Sequence, residues 1–67
     1  MPYINVKITD KAVTTEQKAA IIDGMTQVLV DVLGKNPATT VVVIDEVPLD
    51  NWGIAGIPVV EYRNKSK

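Results

Sequence analysis

The chain contains neither cysteine nor histidine. Without cysteine there are no disulfides, no thiolate metal sites and no thiol nucleophile. Without histidine the commonest general base and the commonest metal ligand are both missing. Long apolar runs are also absent: no stretch approaches the roughly 20 apolar residues of a membrane span, and Lys7 and Asp10 interrupt the N-terminal region before a signal-peptide core. Positive charge is sparse and scattered. The net charge is −1, and the only local excess is the run Arg63-Asn64-Lys65-Ser66-Lys67, which holds the single arginine and reads as a frayed end, the alternative being that Arg63 folds over a neighbour's site. No basic patch points to nucleic acid. The expectation is a cytoplasmic protein with neither nucleic acid nor membrane as a partner.

With 67 residues the chain is expected to form one domain, 1–67, and its apolar fraction of 46% is that of a globular chain. So short a chain buries little surface by itself. Ordering costs about 1.5 kcal/mol per residue, on the order of 100 kcal/mol in all, which burial must offset. With disulfides and thiolate or imidazole metal sites excluded, self-association is the remaining way to do so.

What the chain does have is proline at position 2, in Met1-Pro2-Tyr3-Ile4. If Met1 is removed, the new N-terminus is a secondary amine. An ordinary α-amino group titrates at about 7.7–8.0. Apolar surroundings and a nearby cation both disfavour the ammonium form, which would leave the nitrogen neutral enough to serve as a base or nucleophile. The plainer reading is a proline opening the first strand, where it gives up no ladder hydrogen bond.

Residues 3–9 alternate strictly, with Ile4, Val6 and Ile8 on one face and Tyr3, Asn5, Lys7 and Thr9 on the other, the pattern of a half-buried strand. Asp10 to Val13 form a loop. Thr14 and Gln17 make a capping box that opens a helix running to about Leu33. Ile21, Met25, Val28 and Val32 recur along it at helical spacing as the expected core line, and Gly24 in its interior suggests a close packing contact. Gly34 stops the helix, and Asn36-Pro37 confirms the break. Thr40 to Val47 is a continuous β-branched run that reads as a strand covered on both faces, as in a parallel sheet. The result is a β-α-β unit. After a turn at 48–51, Trp52-Gly53-Ile54-Ala55-Gly56 and the strand-like Ile57-Pro58-Val59-Val60 suggest a small hairpin. This segment has little of its own chain to pack on, and reads as an arm reaching onto a neighbouring subunit; the alternative is a loop folded back on its own sheet.

Met1-Pro2-Tyr3-Ile4, Thr15-Glu16-Gln17-Lys18, Val43-Ile44-Asp45-Glu46-Val47 and Asn51-Trp52-Gly53-Ile54-Ala55-Gly56, in that order and spacing, resemble the 4-oxalocrotonate tautomerase family over residues 2–57. The resemblance implies an α+β fold: a β-α-β unit with parallel strands plus a short C-terminal hairpin. It implies pairing into a dimer with a four-stranded sheet and helices on one face, and a homohexamer of three such dimers. It implies an isomerase that interconverts keto and enol forms of a small 2-oxo or 2-hydroxy acid, with Pro2 as general acid and base and with no metal or organic cofactor. Trp52, where the family commonly has phenylalanine, would form an apolar wall and come from a different subunit than the proline.

The family's two arginines are missing. Lys11 is the nearest cation in the loop that carries the first, but lysine cannot reproduce a bidentate grip on a carboxylate. Val41 occupies the position of the second, five residues before Glu46. Lys11, Val41, Trp52 and Tyr3 are the candidate substrate-binding residues beside catalytic Pro2. The expected substrate is a monoacid or a less charged enol rather than a dicarboxylate. Asp45 and Glu46 face opposite ways on a strand, with one expected to meet a lysine at a subunit contact. Two other readings stay open: a hydratase or dehalogenase type of chemistry using the same proline, which would need Asp10 or Glu46 to activate water, and an oligomeric binding protein with little catalysis.

Overall fold

In the computed structural model, residues 1–9 and 12–65 are described, Lys65 by its backbone alone. Strand β1 (Tyr3–Ile8) leads to helix α1 (Thr15–Leu33), a single 3-10 turn (Pro37–Thr39) and strand β2 (Val41–Glu46). A second 3-10 turn (Leu49–Asn51) opens the C-terminal segment, followed by β3 (Gly53–Ile54), β4 (Ile57–Pro58) and helix α2 (Val59–Lys65).

The capping box at the start of α1 is formed in full. The Gln17 N–H donates to Thr14 Oγ1 at 3.1 Å, and the Thr14 N–H donates to Gln17 Oε1 at 2.9 Å. The helix ends where Gly34 takes φ 66°, a left-handed conformation that a residue without Cβ adopts at no steric cost. There the Gly34 and Lys35 N–H groups donate to the carbonyls of Val30 and Leu29. The Asn36 side chain accepts from the Ala38 N–H at 2.9 Å and shapes the turn into β2.

β1 and β2 pair in parallel, with Tyr3 opposite Val41, Asn5 opposite Val43 and Lys7 opposite Asp45. The ladder is extended at both ends, by the Val41 N–H donating to the Pro2 carbonyl (2.9 Å) and the Val47 N–H donating to the Ile8 carbonyl (2.7 Å). Side-chain bonds identify the two faces. Asp45 Oδ2 accepts from Asn5 Nδ2 at 2.9 Å and from Lys7 Nζ at 2.8 Å, which sets Tyr3, Asn5, Lys7, Val41, Val43 and Asp45 on one side. On the other, with Ile4, Val6, Ile8, Val42 and Ile44, Glu46 forms a salt bridge with Lys18 of α1. Helix α1 therefore covers that second face, and it packs against β2.

Four expectations read differently within one chain. β2 is covered on one face only: Val41 and Val43 are each 37% exposed on the side away from α1. The helix line meant as core is largely uncovered, with Met25 at 38% and Val32 at 74% exposure, because a two-stranded sheet is too narrow to cover a wide apolar stripe. Gly24 meets nothing within the chain, since a Cβ there would have no heavy atom within 4 Å. Asp45 and Glu46 each find a lysine within their own chain rather than at a subunit contact.

The C-terminal hairpin closes through Ala55 and Gly56, both at positive φ (54° and 81°), between the Ile54–Ile57 and Gly53–Pro58 pairs. This is the two-residue turn whose twist suits a hairpin. The strand-like run does not continue beyond Pro58. Val59 and Val60 begin α2, and Arg63 to Lys65 lie in that helix rather than in a frayed tail. The cause is tertiary. Val59 is the one buried apolar residue among those described (6% exposed), and its N–H donates to the Trp52 carbonyl at 2.8 Å. That anchor overrides the strand preference of two valines.

The closely packed element pairs fall into two sets. One joins β1, β2, α1 and the first 3-10 turn; the other joins the second 3-10 turn, β3, β4 and α2. The chain is correspondingly elongated, 45 × 24 × 18 Å with a radius of gyration of 15.5 Å, against about 11 Å for a compact chain of this length. Its accessible surface is 5013 Å², against about 4,200 Å² for a folded monomer of this mass. Among the described residues no helix is long and apolar enough to cross a membrane.

Candidate functional site

Pro2 lies at the edge where the parallel ladder begins. Its carbonyl accepts the Val41 N–H, a bond that costs proline nothing because only its missing N–H is denied to the sheet. The bond fixes the backbone on the C-terminal side of the pyrrolidine ring, while the residue in front of it, Met1, is almost fully exposed. Pro2 is half-buried. In the chain with Met1 attached, the Pro2 nitrogen is an amide and has no basicity. Release of Met1 would leave the ring nitrogen at the tip of the strand.

Tyr3 and Val41 are register partners beside Pro2. Both belong to the sheet face turned away from α1, where Tyr3 is 64% exposed. Val43 continues the same apolar surface. Farther along this face Asn5, Lys7 and Asp45 form a hydrogen-bonded cluster. Its cation is separated from Tyr3 by four residues of strand, roughly 13 Å. The hydrogen bonds from Lys7 and Asn5 lower the carboxyl pKa of Asp45 below its ordinary value, and the Asp45 hydrogen bond raises that of Lys7. Both groups are thus charged and mutually satisfied. The apolar end of the face adjoins Pro2, and the polar end is occupied with itself.

Trp52 belongs to the other set of elements. It is half-buried, its N–H donates to the Leu49 carbonyl at 3.1 Å, and its own carbonyl receives the Val59 N–H. One copy of the chain therefore brings Pro2, Tyr3 and Val41 together and holds Trp52 in the C-terminal cluster. Lys11 lies outside the described residues, as does Asp10. Of the two carboxylates weighed on β2, Glu46 is engaged by Lys18 and Asp45 by Lys7. Neither is a free base for activating water.

Sequence reasoning missed one feature of this region: the ordering of Arg63 on a helix tied to Trp52. The available signal was Val59 and Tyr62 three residues apart, but two turns are too short for such spacing to be told from a strand end.

The family model described as "Tautomerase enzyme" matches residues 2–62. The chain is 61% identical to a probable tautomerase K2 of Dickeya dadantii over 66 residues, covering 98% of each chain. It is 38% identical to a 2-hydroxymuconate tautomerase of Comamonas testosteroni, covering 91% of this chain and 95% of that one. Among solved structures, the crystal structure of DmpI from Helicobacter pylori superposes with a TM-score of 0.83 at 42% identity, over 94% of this chain and 97% of that one.

Proposed function

This chain belongs to the tautomerase family and is an isomerase; from that premise we propose that it interconverts the enol and keto forms of a small 2-hydroxy/2-oxo acid, with Pro2 as the group that moves the proton. Once Met1 is gone, the ring nitrogen's lone pair takes the proton from the enol hydroxyl and returns it to carbon. The O–H bond breaks as the C–H bond forms, and no electrons are exchanged with an outside partner. A positioned acid–base group of this kind contributes on the order of 10²–10⁴ in rate. The observation that carries the reading is the placement of Pro2: a second-position proline, held by the Val41 N–H at the open end of an apolar sheet face, in a chain of this family.

The site is completed by other copies of the chain. The supporting observations are the exposed Tyr3, Val41 and Val43 on the open face, the uncovered apolar line of α1, and the excess of accessible surface over a compact monomer. A homohexamer built as a trimer of dimers is the assembly we propose, with Trp52 presented by one copy to the Pro2 of another. The substrate is held largely by apolar walls, because Val41 offers no charge to a second carboxylate. The Comamonas relative is named for 2-hydroxymuconate; we expect that dicarboxylate to be turned over poorly here and a monocarboxylate such as phenylenolpyruvate to be preferred. Location in the cytoplasm completes the reading.

Intact mass and kinetics test it together. The working protein should lack Met1, and Pro2→Ala should lower kcat at least about 100-fold with the oligomer unchanged. Turnover of phenylenolpyruvate at the unaltered rate by Pro2→Ala, or retention of Met1 in fully active protein, would remove the proline from the reaction.

A further inference from the structure

The one arginine of the chain is attached to the segment that carries Trp52. Helix α2 packs on the 3-10 turn Leu49–Asn51 and on β3, the elements on either side of Trp52, and the Val59 N–H bond to the Trp52 carbonyl ties its first residue to that tryptophan. Arg63 stands four residues beyond Val59, one turn along the same side of the helix. It is exposed and has no hydrogen-bond or ion-pair partner among the described residues. Two of the described lysines are already engaged, Lys7 by Asp45 and Lys18 by Glu46, and Lys35 stands just past the end of α1. Meanwhile the sheet face beside Pro2 presents Tyr3, Val41 and Val43, which have no positive charge to offer.

We propose that Arg63 is the residue that binds the substrate carboxylate, carried with Trp52 by the C-terminal segment into the Pro2 site of a neighbouring copy. This rests on the reading that Pro2 moves the proton and that the segment serves another copy. A guanidinium donates two parallel N–H bonds to a carboxylate, which fixes orientation as well as charge. In a 2-hydroxy or 2-oxo acid the carboxylate adjoins the oxygen on which negative charge develops. An arginine seated on it therefore also favours the enolate. Lysine, a point charge without the planar fork, would do this less well. With a single arginine and an apolar remainder, the site fits an acid bearing one carboxylate and an apolar or aromatic body.

Trp52 is the only tryptophan, so its fluorescence reports occupancy directly. Benzoylformate, a 2-oxo acid that cannot enolise, is the probe, and its methyl ester is the uncharged control, titrated into the full assembled protein. Benzoylformate should quench Trp52 saturably in the wild type. Arg63→Ala should weaken that binding at least about tenfold and Arg63→Lys by less, with the ester bound alike by all three and KM for phenylenolpyruvate rising in parallel. Equal benzoylformate affinity in the wild type and Arg63→Ala, or no saturable binding by the wild type, would overturn the proposal. Pro2→Ala separates the two readings: it should keep benzoylformate binding and lose turnover. If it keeps turnover, the proton-transfer reading fails whatever Arg63 does; if Arg63→Ala behaves as wild type while Pro2→Ala is inactive, only the carboxylate assignment fails.

Discussion

The β-α-β body and the C-terminal segment are held together differently. The body has a six-residue parallel ladder, a fully capped nineteen-residue helix and, among the described residues, two ion pairs, yet every described residue in it keeps part of its surface open to solvent. The segment has two-residue strands and a seven-residue helix, yet it contains the one buried side chain among the described residues, Val59. The body is regular in its local hydrogen bonding, but its sheet has only two strands and its burial is slight. A layer with its apolar faces uncovered is stable only when another layer closes it, since burial and not the net hydrogen bond supplies most of the driving force. The segment, by contrast, has a small core of its own. It can keep its shape without the body, as the role proposed for Trp52 and Arg63 requires.

Substitutions that divide the two regions should rank accordingly. Val43→Asp, on the open sheet face, should do the most damage: a charge set where another layer must pack would abolish assembly and activity together, as seen by analytical ultracentrifugation. An oligomer of unchanged mass would mean that this face is not an interface. Val59→Ala removes two buried methyl groups from the segment and should cost about 2 kcal/mol. Loss of amide protection should be concentrated in residues 49–65 while the ladder amides hold; protection lost evenly would mean that the segment has no core of its own. Thr14→Ala opens the capping box and should cost about 1 kcal/mol in thermal or denaturant unfolding, without changing the substrate preference. Asp45→Asn should have the smallest effect, visible only in the pH dependence. The native carboxyl of Asp45 titrates below its unfolded value, so its contribution is present above about pH 4 and fades as pH falls through the native value. Lys7, raised in the native state, contributes below about pH 10.4 and its share is lost as pH rises through the native value. Asp45→Asn should therefore flatten the acid limb of the stability profile; an unchanged limb would locate acid sensitivity elsewhere.

The body was legible in the sequence because each signal in it is local. The alternation of Ile4, Val6 and Ile8, the Thr14–Gln17 box, the left-handed stop at Gly34 and the β-branched run at 41–46 all act within a few residues of themselves. The hairpin turn was legible from its glycines. Helix α2 was not, because Val59 and Val60 favour strands and are made helical by a burial and a hydrogen bond to Trp52, contacts with no sequence period. The coverage expected for the second face of β2 and for Met25 and Val32 does not come from within one chain, since an apolar pattern states that a side chain needs a partner and not which chain supplies it. The site was half legible for the same reason. Pro2, Tyr3 and Val41 lie together in one chain, and Trp52 is held apart from them in the C-terminal cluster.

The account turns on that division, and subunit mixing tests it directly. Pro2→Ala has an intact C-terminal segment and no base; Trp52→Ala has the base and a damaged segment. Equal amounts of the two, unfolded together and reassembled, should recover activity in about a quarter of the sites if the segment serves another copy's proline and subunits assort at random. If each chain completes its own site, every site remains defective, and the mixture should be no more active than the average of its two parents.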